Sequence, residues 1–166
     1  MRRLLRILKH LCTPDWIARR AFPEASLKKI ERAIKSSEAE HDGELRFVIE
    51  ASLPLRYLVG GRSSRRRALD LFAQLGVWDT EHNIGVLVYV QLVSRHIDIV
   101  ADRGIARKVE QVEWDAVCRA MQLSFRKNQY EDGALQAITT ITRILARHFP
   151  PHGARANELP DRPVVL

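Results

Sequence analysis

The hydrophobic residues of this chain recur with two periods, about 3.6 and about 2 residues, which are typical of helices and of strands respectively. Helix-ending signals, such as Gly43, Gly76 and the pair Pro150-Pro151, separate the helical stretches. The helical spacing predicts four main helices, at residues 22–41, 63–75, 112–126 and 131–149. A shorter helix or turn is expected over residues 104–110, and a loop over residues 54–61.

The shorter period marks three strands. Apolar and polar residues alternate over residues 44–53, which predicts a strand whose Leu45 face packs on a core. The almost continuously apolar residues 84–92 predict a central strand that is covered on both faces, and residues 96–101 predict its antiparallel partner. Because a helix lies between the first two strands, these form a crossover unit and run parallel. The pattern therefore indicates an α/β fold on a small mixed β-sheet.

The chain divides into three segments by composition. We predict a basic amphipathic helical segment at residues 1–22, an α/β domain at residues 23–150, and a tail at residues 151–166. The tail is polar and contains proline, so we expect it to be disordered. The only two cysteines, Cys12 and Cys118, do not suggest a disulfide framework, and Cys118 is expected to act as a small buried apolar residue.

The net charge of +7 is concentrated at one end of the chain. Residues 1–23 hold six arginines and lysines against a single acid, Asp15. Two interpretations stay open: the first helix packs on its own domain, or it binds an anionic membrane surface or a membrane protein. Few aromatic residues accompany the basic ones, so we expect no nucleic-acid partner. We find neither a signal-peptide core nor an apolar run that could span a membrane, and we expect a cytoplasmic protein, peripheral to the inner face of the membrane.

Two acid-bearing turns flank the predicted hairpin. Asp79, Glu81 and Asn83 precede its first strand, and Asp102 follows its second. Because an antiparallel hairpin returns both clusters to one end of the sheet, these four residues are the candidate ligands of a divalent cation, calcium or magnesium. Arg103 is the candidate group for an anion. The alternative is that Asp79 caps a turn and Asp102 caps the next helix.

Two other polar clusters have weaker patterns. Glu38, His41 and Glu44 could share a metal ion, but Gly43 interrupts the helix, and a solvated helix end is the simpler interpretation. Arginines at the start of the helix over residues 63–75 suggest an external anion or, more simply, a solvated charged surface. These arginines are Arg62, Arg65, Arg66 and Arg67.

Several strings of the sequence resemble the TPM domain family, which includes thylakoid-lumen phosphatase-like proteins and bacterial membrane-associated relatives. The resemblance covers about residues 24–149. It rests on Leu71-Phe72, Leu75-Gly76, Asp79, Asn83-Ile84-Gly85-Val86-Leu87, Ile97-Asp98-Ile99-Val100-Ala101-Asp102-Arg103-Gly104-Ile105, Trp114, Phe125 and Tyr130-Glu131-Asp132-Gly133-Ala134.

The resemblance implies a three-layer α/β/α sandwich on a small mixed sheet, here with an extra N-terminal helix. It also implies a cleft at one end of the sheet, which holds calcium or another divalent ion in some relatives. Weak acid phosphatase activity is attributed to some members, and others resemble adaptors in membrane-protein quality control or assembly. Many relatives have a secretion signal and a membrane helix, and we find neither in this sequence.

The leading functional hypothesis is a TPM-like interaction or adaptor module that is peripheral to the membrane and binds a divalent cation at the hairpin end. The alternative is a metal-dependent acid phosphatase that uses the same cleft. The chain has no cysteine-arginine phosphate loop and no P-loop, so hydrolysis would have to be assisted by a metal. Thr80 and His82 lie nearby, but nothing assigns either residue as a nucleophile or base.

Overall fold

A computed structural model of the chain describes residues 2–11, 13–14, 16–153 and 156–166, with side chains from Ile7 onward. Within these ranges, four strands form one sheet and eight helices surround it. In chain order the elements are α1 (Arg2–Leu11), α2 (Trp16–Ala21), α3 (Glu24–Ser37), β1 (Glu44–Glu50), α4 (Leu55–Val59), α5 (Ser64–Gln74), β2 (Gly85–Gln91), β3 (His96–Ala101), α6 (Arg103–Ala106), α7 (Gln111–Arg126), α8 (Tyr130–His148) and β4 (Val164–Val165).

The sheet has the strand order β3-β2-β1-β4. β1 and β2 are parallel neighbours, with Glu44 opposite Gly85 and Glu50 opposite Gln91, as the crossover through α5 predicts. β2 and β3 are antiparallel, and β3 has the predicted bounds. The mixed sheet that the alternating pattern indicates is therefore confirmed.

Helices cover both faces of the sheet. Successive side chains of a strand point to opposite faces, and both faces of the central strands are apolar. Phe47 and Ile49 of β1 face the larger core, which α3, α7 and α8 complete. Val48 faces the other way, into a smaller core with Leu71 of α5. Side chains on opposite sides of one strand thus build separate layers. The three-layer α/β/α architecture is confirmed.

The C-terminal segment departs from its prediction. Val164 and Val165 form β4, which pairs in parallel with β1, and Leu159 is buried in the smaller core. The Arg46 side chain of β1 donates to the carbonyl of Pro160. The expected disorder is therefore wrong for this part of residues 151–166. The prediction failed because the segment is mostly polar, although its few apolar residues are the ones that cover the edge of β1. Native sheets rarely leave such an edge unprotected.

The N-terminal helices also contact the domain. α1 packs against α4, a short helix inside the segment that was predicted to be a loop. His10 of α1 is only 2% exposed, and its Nδ1 accepts a hydrogen bond of 3.1 Å from the backbone N–H of Leu53. Its Nε2 lies 2.8 Å from Oγ of Ser94, in the turn between β2 and β3. A buried imidazole thus joins α1 to two separate loops.

The two cysteine predictions have different outcomes. Cys12 lies outside the described residues. Cys118 is partly buried against the larger core, and burial, followed by the charge of Asp98, raises the pKa of its thiol to about 11. A thiol with so high a pKa is protonated near neutral pH and is a poor nucleophile.

Candidate functional site

The backbone joins the two polar clusters at one end of the β2–β3 hairpin. The N–H of Asp102 donates to the carbonyl of Gly85 at 2.9 Å, and the N–H of Gly104 donates to the carbonyl of Asn83 at 3.1 Å. Asn83 itself has a positive φ of 56°, a conformation that asparagine tolerates better than most residues. The hairpin therefore brings the two turns together, as its topology predicts.

Gly104 makes this contact possible because it lacks a side chain. A Cβ atom at this position would lie 2.5 Å from the carbonyl oxygen of Asn83 and 2.9 Å from that of His82. Both distances are too short for real atoms, and both neighbours are backbone, which moves only with the whole turn. The close approach of the two turns thus depends on a glycine after Asp102-Arg103.

Asp102 is the most enclosed of the predicted ligands. It is 7% exposed, and its Oδ1 accepts a 2.7 Å hydrogen bond from the backbone N–H of Arg103 at the start of α6. Its capping role, which the sequence left as the alternative, is present. However, its Oδ2 is buried and has no hydrogen-bond partner among the described residues. A buried carboxylate oxygen without a partner is unfavourable unless a proton, a water or a cation completes it.

The other predicted site residues are more open. Asp79, Glu81 and Arg103 are exposed, and Asn83 is partly buried. The backbone N–H of Glu81 donates to Oε2 of Glu158, from the C-terminal segment, at 2.9 Å. Within the described part of the chain, no group of three or more His, Cys, Asp or Glu side chains is placed to hold a metal ion. The residues therefore fit a divalent cation only in part: Asp102 offers a free oxygen, but no complete set of ligands is assembled around it.

In the cluster of Glu38, His41 and Glu44, the histidine and Glu44 are buried and Glu38 is partly buried, so the expectation of a solvated helix end is wrong. Oε2 of Glu44 accepts a hydrogen bond of 3.2 Å from the backbone N–H of Leu159. Burial raises the pKa of Glu38 to about 8, and the neighbouring charges of Asp161 and Glu44 act in the same direction. These acids hold the C-terminal segment in place, which the sequence could not indicate because that segment was expected to be disordered.

The arginines at the start of α5 have partners within the protein. Arg67 turns inward and pairs with Glu50, while Arg66 pairs with Asp70 at 3.3 Å. The guanidinium of Arg65 donates to the backbone carbonyl of Ile99 on β3. Contacts within the protein therefore account for the positions of these three arginine side chains, and no external anion is needed.

An exposed apolar surface, which we call the α1–α4 face, combines the predicted amphipathic N-terminal helix with α4, a helix that the sequence analysis missed. α1 presents Leu8 and Leu11, which are 49% and 60% exposed, and the neighbouring α4 presents Leu55 and Val59, which are 52% and 57% exposed. Leu55 and Val59 lie four residues apart, so they share one side of α4. Their signal was lost because the segment containing them was predicted to be a loop.

Basic residues accompany this face. Lys9 and Arg56 are exposed on the same two helices. Arg2, Arg3 and Arg6 also belong to α1. No helix in the described ranges combines the length and the apolar composition that crossing a membrane requires.

Comparison with known proteins identifies relatives of this arrangement. The family profile described as the TPM domain matches residues 19–144. The NMR structure of the BA42 protein from the psychrophilic bacterium Bizionia argentinensis is 28% identical and superimposes with a TM-score of 0.75, covering 84% of this chain and 92% of that one. The solution structure of an N-terminal domain of a protein from P. gingivalis, at 16% identity, shares the fold with a TM-score of 0.65, covering 87% and 95% of the two chains. A search of curated proteins found no match.

Proposed function

Because the chain belongs to the TPM domain family, we propose that it is an interaction module of that fold which docks on an anionic membrane surface through the α1–α4 face. The observation that carries the proposal is the pair of contacting helices that expose Leu8, Leu11, Leu55 and Val59. Apolar residues grouped on adjoining elements are more often an interaction surface than residues scattered singly. On this proposal the protein works as an adaptor at the inner, cytoplasmic face of the membrane.

Charge favours lipid as the occupant of this face. α1 carries Arg2, Arg3, Arg6 and Lys9, and α4 carries Arg56. Basic residues near an anionic leaflet contribute about 1 kcal/mol each, and the apolar side chains add their burial in the acyl boundary. Exposed apolar side chains and basic residues on the same two helices match that surface. A purely apolar protein groove would not need the basic groups.

Vesicle flotation tests the proposal. The full-length protein should float with vesicles of phosphatidylcholine and phosphatidylglycerol, and much less with phosphatidylcholine alone, because the basic residues need anionic lipid. Replacing Leu8, Leu11, Leu55 and Val59 by serine should lower the vesicle-bound fraction at least about tenfold, since four apolar side chains no longer enter the interface.

Exposed apolar residues elsewhere supply the matched control. Val112 and Leu123 of α7 are 57% and 58% exposed, so replacing both by serine removes two apolar side chains of comparable exposure away from the α1–α4 face. The control variant should float as the unchanged protein does. Failure of the unchanged protein to bind anionic vesicles, or an equal loss in both variants, contradicts membrane docking. Capture of a membrane protein by a chain that ignores lipid would instead assign the face to a protein partner.

A second candidate function is divalent cation binding at the hairpin end, with metal-dependent phosphatase activity as its extension. The supporting observation is the buried, unpartnered Oδ2 of Asp102. We propose that Asp79, Glu81 and Asn83 complete a calcium or magnesium site with Asp102, and that Arg103 contacts a bound anion. The metal would supply Lewis-acid stabilisation of a phosphoryl group.

Thermal unfolding distinguishes a cation site at the hairpin end from a pair of turns that binds no cation. Millimolar calcium or magnesium should raise the Tm of the chelator-treated protein, because a ligand that binds only the folded state stabilises it. Asp102→Asn should abolish the rise in Tm, whereas Asp115→Asn, at an exposed position of α7, should leave it unchanged. An unchanged Tm would remove the cation site. Metal-dependent hydrolysis of an aryl phosphate that Asp102→Asn abolishes is the further result the phosphatase requires.

A further inference from the structure

A cavity lies at the opposite end of the β2–β3 hairpin from Asp102, where β2 turns into β3. Its volume is about 370 Å³, which is within the range of small-molecule sites. The walls come from the β2–β3 turn, the first residues of β3, the end of α7 and the start of α8. The candidate cation ligands around Asp102 do not line this cavity, and neither do the apolar residues of the α1–α4 face.

One wall of this cavity is apolar and firmly supported. Phe125 and Tyr130 both line it, with their ring centroids 5.1 Å apart. Behind them, Phe22 packs against both rings at centroid distances of 5.9 and 5.7 Å. Ile97 of β3 also lines the cavity. Because each of the two lining rings packs against the other and against Phe22, the wall is already shaped for an apolar group.

The polar side of the cavity is positively charged. Arg95, His96 and Arg126 line it, and none of the described lining residues is acidic. Neither arginine forms an ion pair with a described residue. Arg126 also lies in the last turn of α7, where the helix dipole favours a cation, but Arg95 has no such explanation. The two guanidinium groups are thus available to an anion.

The backbone at Arg95 strengthens this argument. Its φ is 54°, in the left-handed region that favours glycine or asparagine. The turn is fixed by buried Gln91, whose Oε1 accepts from the N–H of Ser94 at 2.7 Å and whose Nε2 donates to the carbonyl of Ala51 at 3.0 Å. Residues other than glycine with such strained backbone angles cluster at ligand-binding sites, so the conformation of Arg95 at the edge of a cavity supports a binding role for its side chain.

We propose that this cavity binds a small organic carboxylate whose body is aromatic or branched apolar. The carboxylate lies against Arg95 and Arg126, since guanidinium groups bind it with two parallel hydrogen bonds. The apolar body lies against Phe125 and Tyr130. A carboxylate fits this site better than a phosphate dianion, because a single charge loses less hydration on entering a partly apolar cavity.

Isothermal titration calorimetry on the full chain tests the assignment with 3-phenylpropionate as the probe. A ligand of this size should bind saturably with a Kd of about 1 mM or below. The neutral isostere 3-phenylpropanamide should bind at least about tenfold more weakly, because it lacks the charge that the arginines recognise. Phenylphosphonate, which carries a phosphate-like dianion and is not hydrolysed, should also bind more weakly than the carboxylate.

Two arginine variants and one control variant test whether 3-phenylpropionate binds in this cavity. Arg95→Gly suits the positive φ, so it keeps the turn while removing the guanidinium, and Arg126→Gln removes the second. Each should weaken 3-phenylpropionate binding at least about fivefold, whereas Arg143→Gln, an exposed arginine of α8, should leave the Kd unchanged. Unchanged urea midpoints would show that the variants fold.

The source of the carboxylate is decided by a peptide probe. Tighter binding of acetyl-Ala-Ala-Phe than of 3-phenylpropionate assigns the carboxylate to a peptide C terminus, and weaker binding assigns it to a free acid. The proposal is overturned by an absence of saturable binding, by equal affinity for acid and amide, by tighter binding of phenylphosphonate, or by equal losses in Arg143→Gln and Arg126→Gln.

Discussion

Arg67 of α5 and Glu50 of β1 form an ion pair inside the smaller core, with Nη2 of the arginine 2.6 Å from Oε1 of the carboxylate. Nε of Arg67 also contacts both carboxylate oxygens, at 3.0 and 3.2 Å. The hydroxyl of Tyr89 on β2 donates to Oε2 of the same group. Burial, and then the charge of Glu50, raise the pKa of Tyr89, so this hydroxyl remains a donor. One carboxylate thereby connects two strands and a helix.

Breaking this pair from one side should destabilise the fold strongly. In Arg67→Met, the carboxylate of Glu50 stays buried without its cation, and we expect the free energy of unfolding to fall by about 3–5 kcal/mol. Urea denaturation of the variant and of the unchanged protein measures the difference.

The double variant Arg67→Met with Glu50→Gln is the informative control. It removes both charges and leaves an acceptor for Tyr89, so it should recover much of the lost stability. A double variant as unstable as Arg67→Met alone would show that packing, not the unpaired charge, causes the loss.

Glu38 should make folding stability depend on pH. Its folded pKa is about 8, mainly through burial, against the ordinary value of 4.5. Below pH 4.5, folded and unfolded chains both hold the proton. Between these values only the folded chain holds it, so unfolding releases a proton and becomes easier as the pH rises. The contribution of Glu38 is therefore present below about pH 4.5 and is lost by about pH 8.

Glu38→Gln isolates this effect, because glutamine stays neutral while keeping a hydrogen-bonding group beside Asp161. The variant should gain stability relative to the unchanged protein as the pH rises from 5 to 8. Guanidinium denaturation at pH 5, 6.5 and 8 provides the comparison. Parallel stability curves for the two proteins would exclude Glu38 as the titrating group.

His10 should hold α1 on the domain. His10→Ala leaves the buried N–H of Leu53 without its acceptor and removes the contact with Ser94. We expect a loss of about 1–3 kcal/mol in the free energy of unfolding, and faster amide exchange in α1 than in β1. Hydrogen exchange with mass spectrometry measures both segments, and His96→Ala, an exposed histidine, is the control. Unaltered exchange in α1 would contradict the role of His10.

The C-terminal segment should contribute to global stability rather than fray separately. Leu159→Ala removes a buried side chain from the smaller core and should lower the free energy of unfolding by about 2–5 kcal/mol. Replacing the exposed neighbour Glu158 is unsuitable as a control, because it accepts from the N–H of Glu81. Leu123→Ala, at a leucine of α7 that is 58% exposed, makes the same chemical change outside the core and should have a much smaller effect. A Leu159→Ala variant as stable as Leu123→Ala would show that the segment is not part of the cooperative core.

The main elements of the domain were predictable because their signals are local. The alternation around Phe47 and the apolar run after Ile84 identify β1 and β2, and the helix between them implies the parallel pairing. The hairpin also implies that Asp102 returns to the turn containing Asn83, which the backbone contacts confirm. The four-residue cation site remains a prediction, since a shared end of a sheet does not specify where side chains point.

What the sequence determined by itself is the order of elements, the two faces of the strands, and the family. Hydrophobic periodicity and short sequence motifs depend only on residues close together in the chain, so they can be read without knowing any tertiary contact. The tertiary structure decided the rest: that Val164 covers the edge of β1, that Arg67 turns inward to Glu50, and that Arg126 joins Arg95 around one cavity. Each of these relationships joins residues far apart in the chain, and their geometry is set by packing that no local pattern encodes.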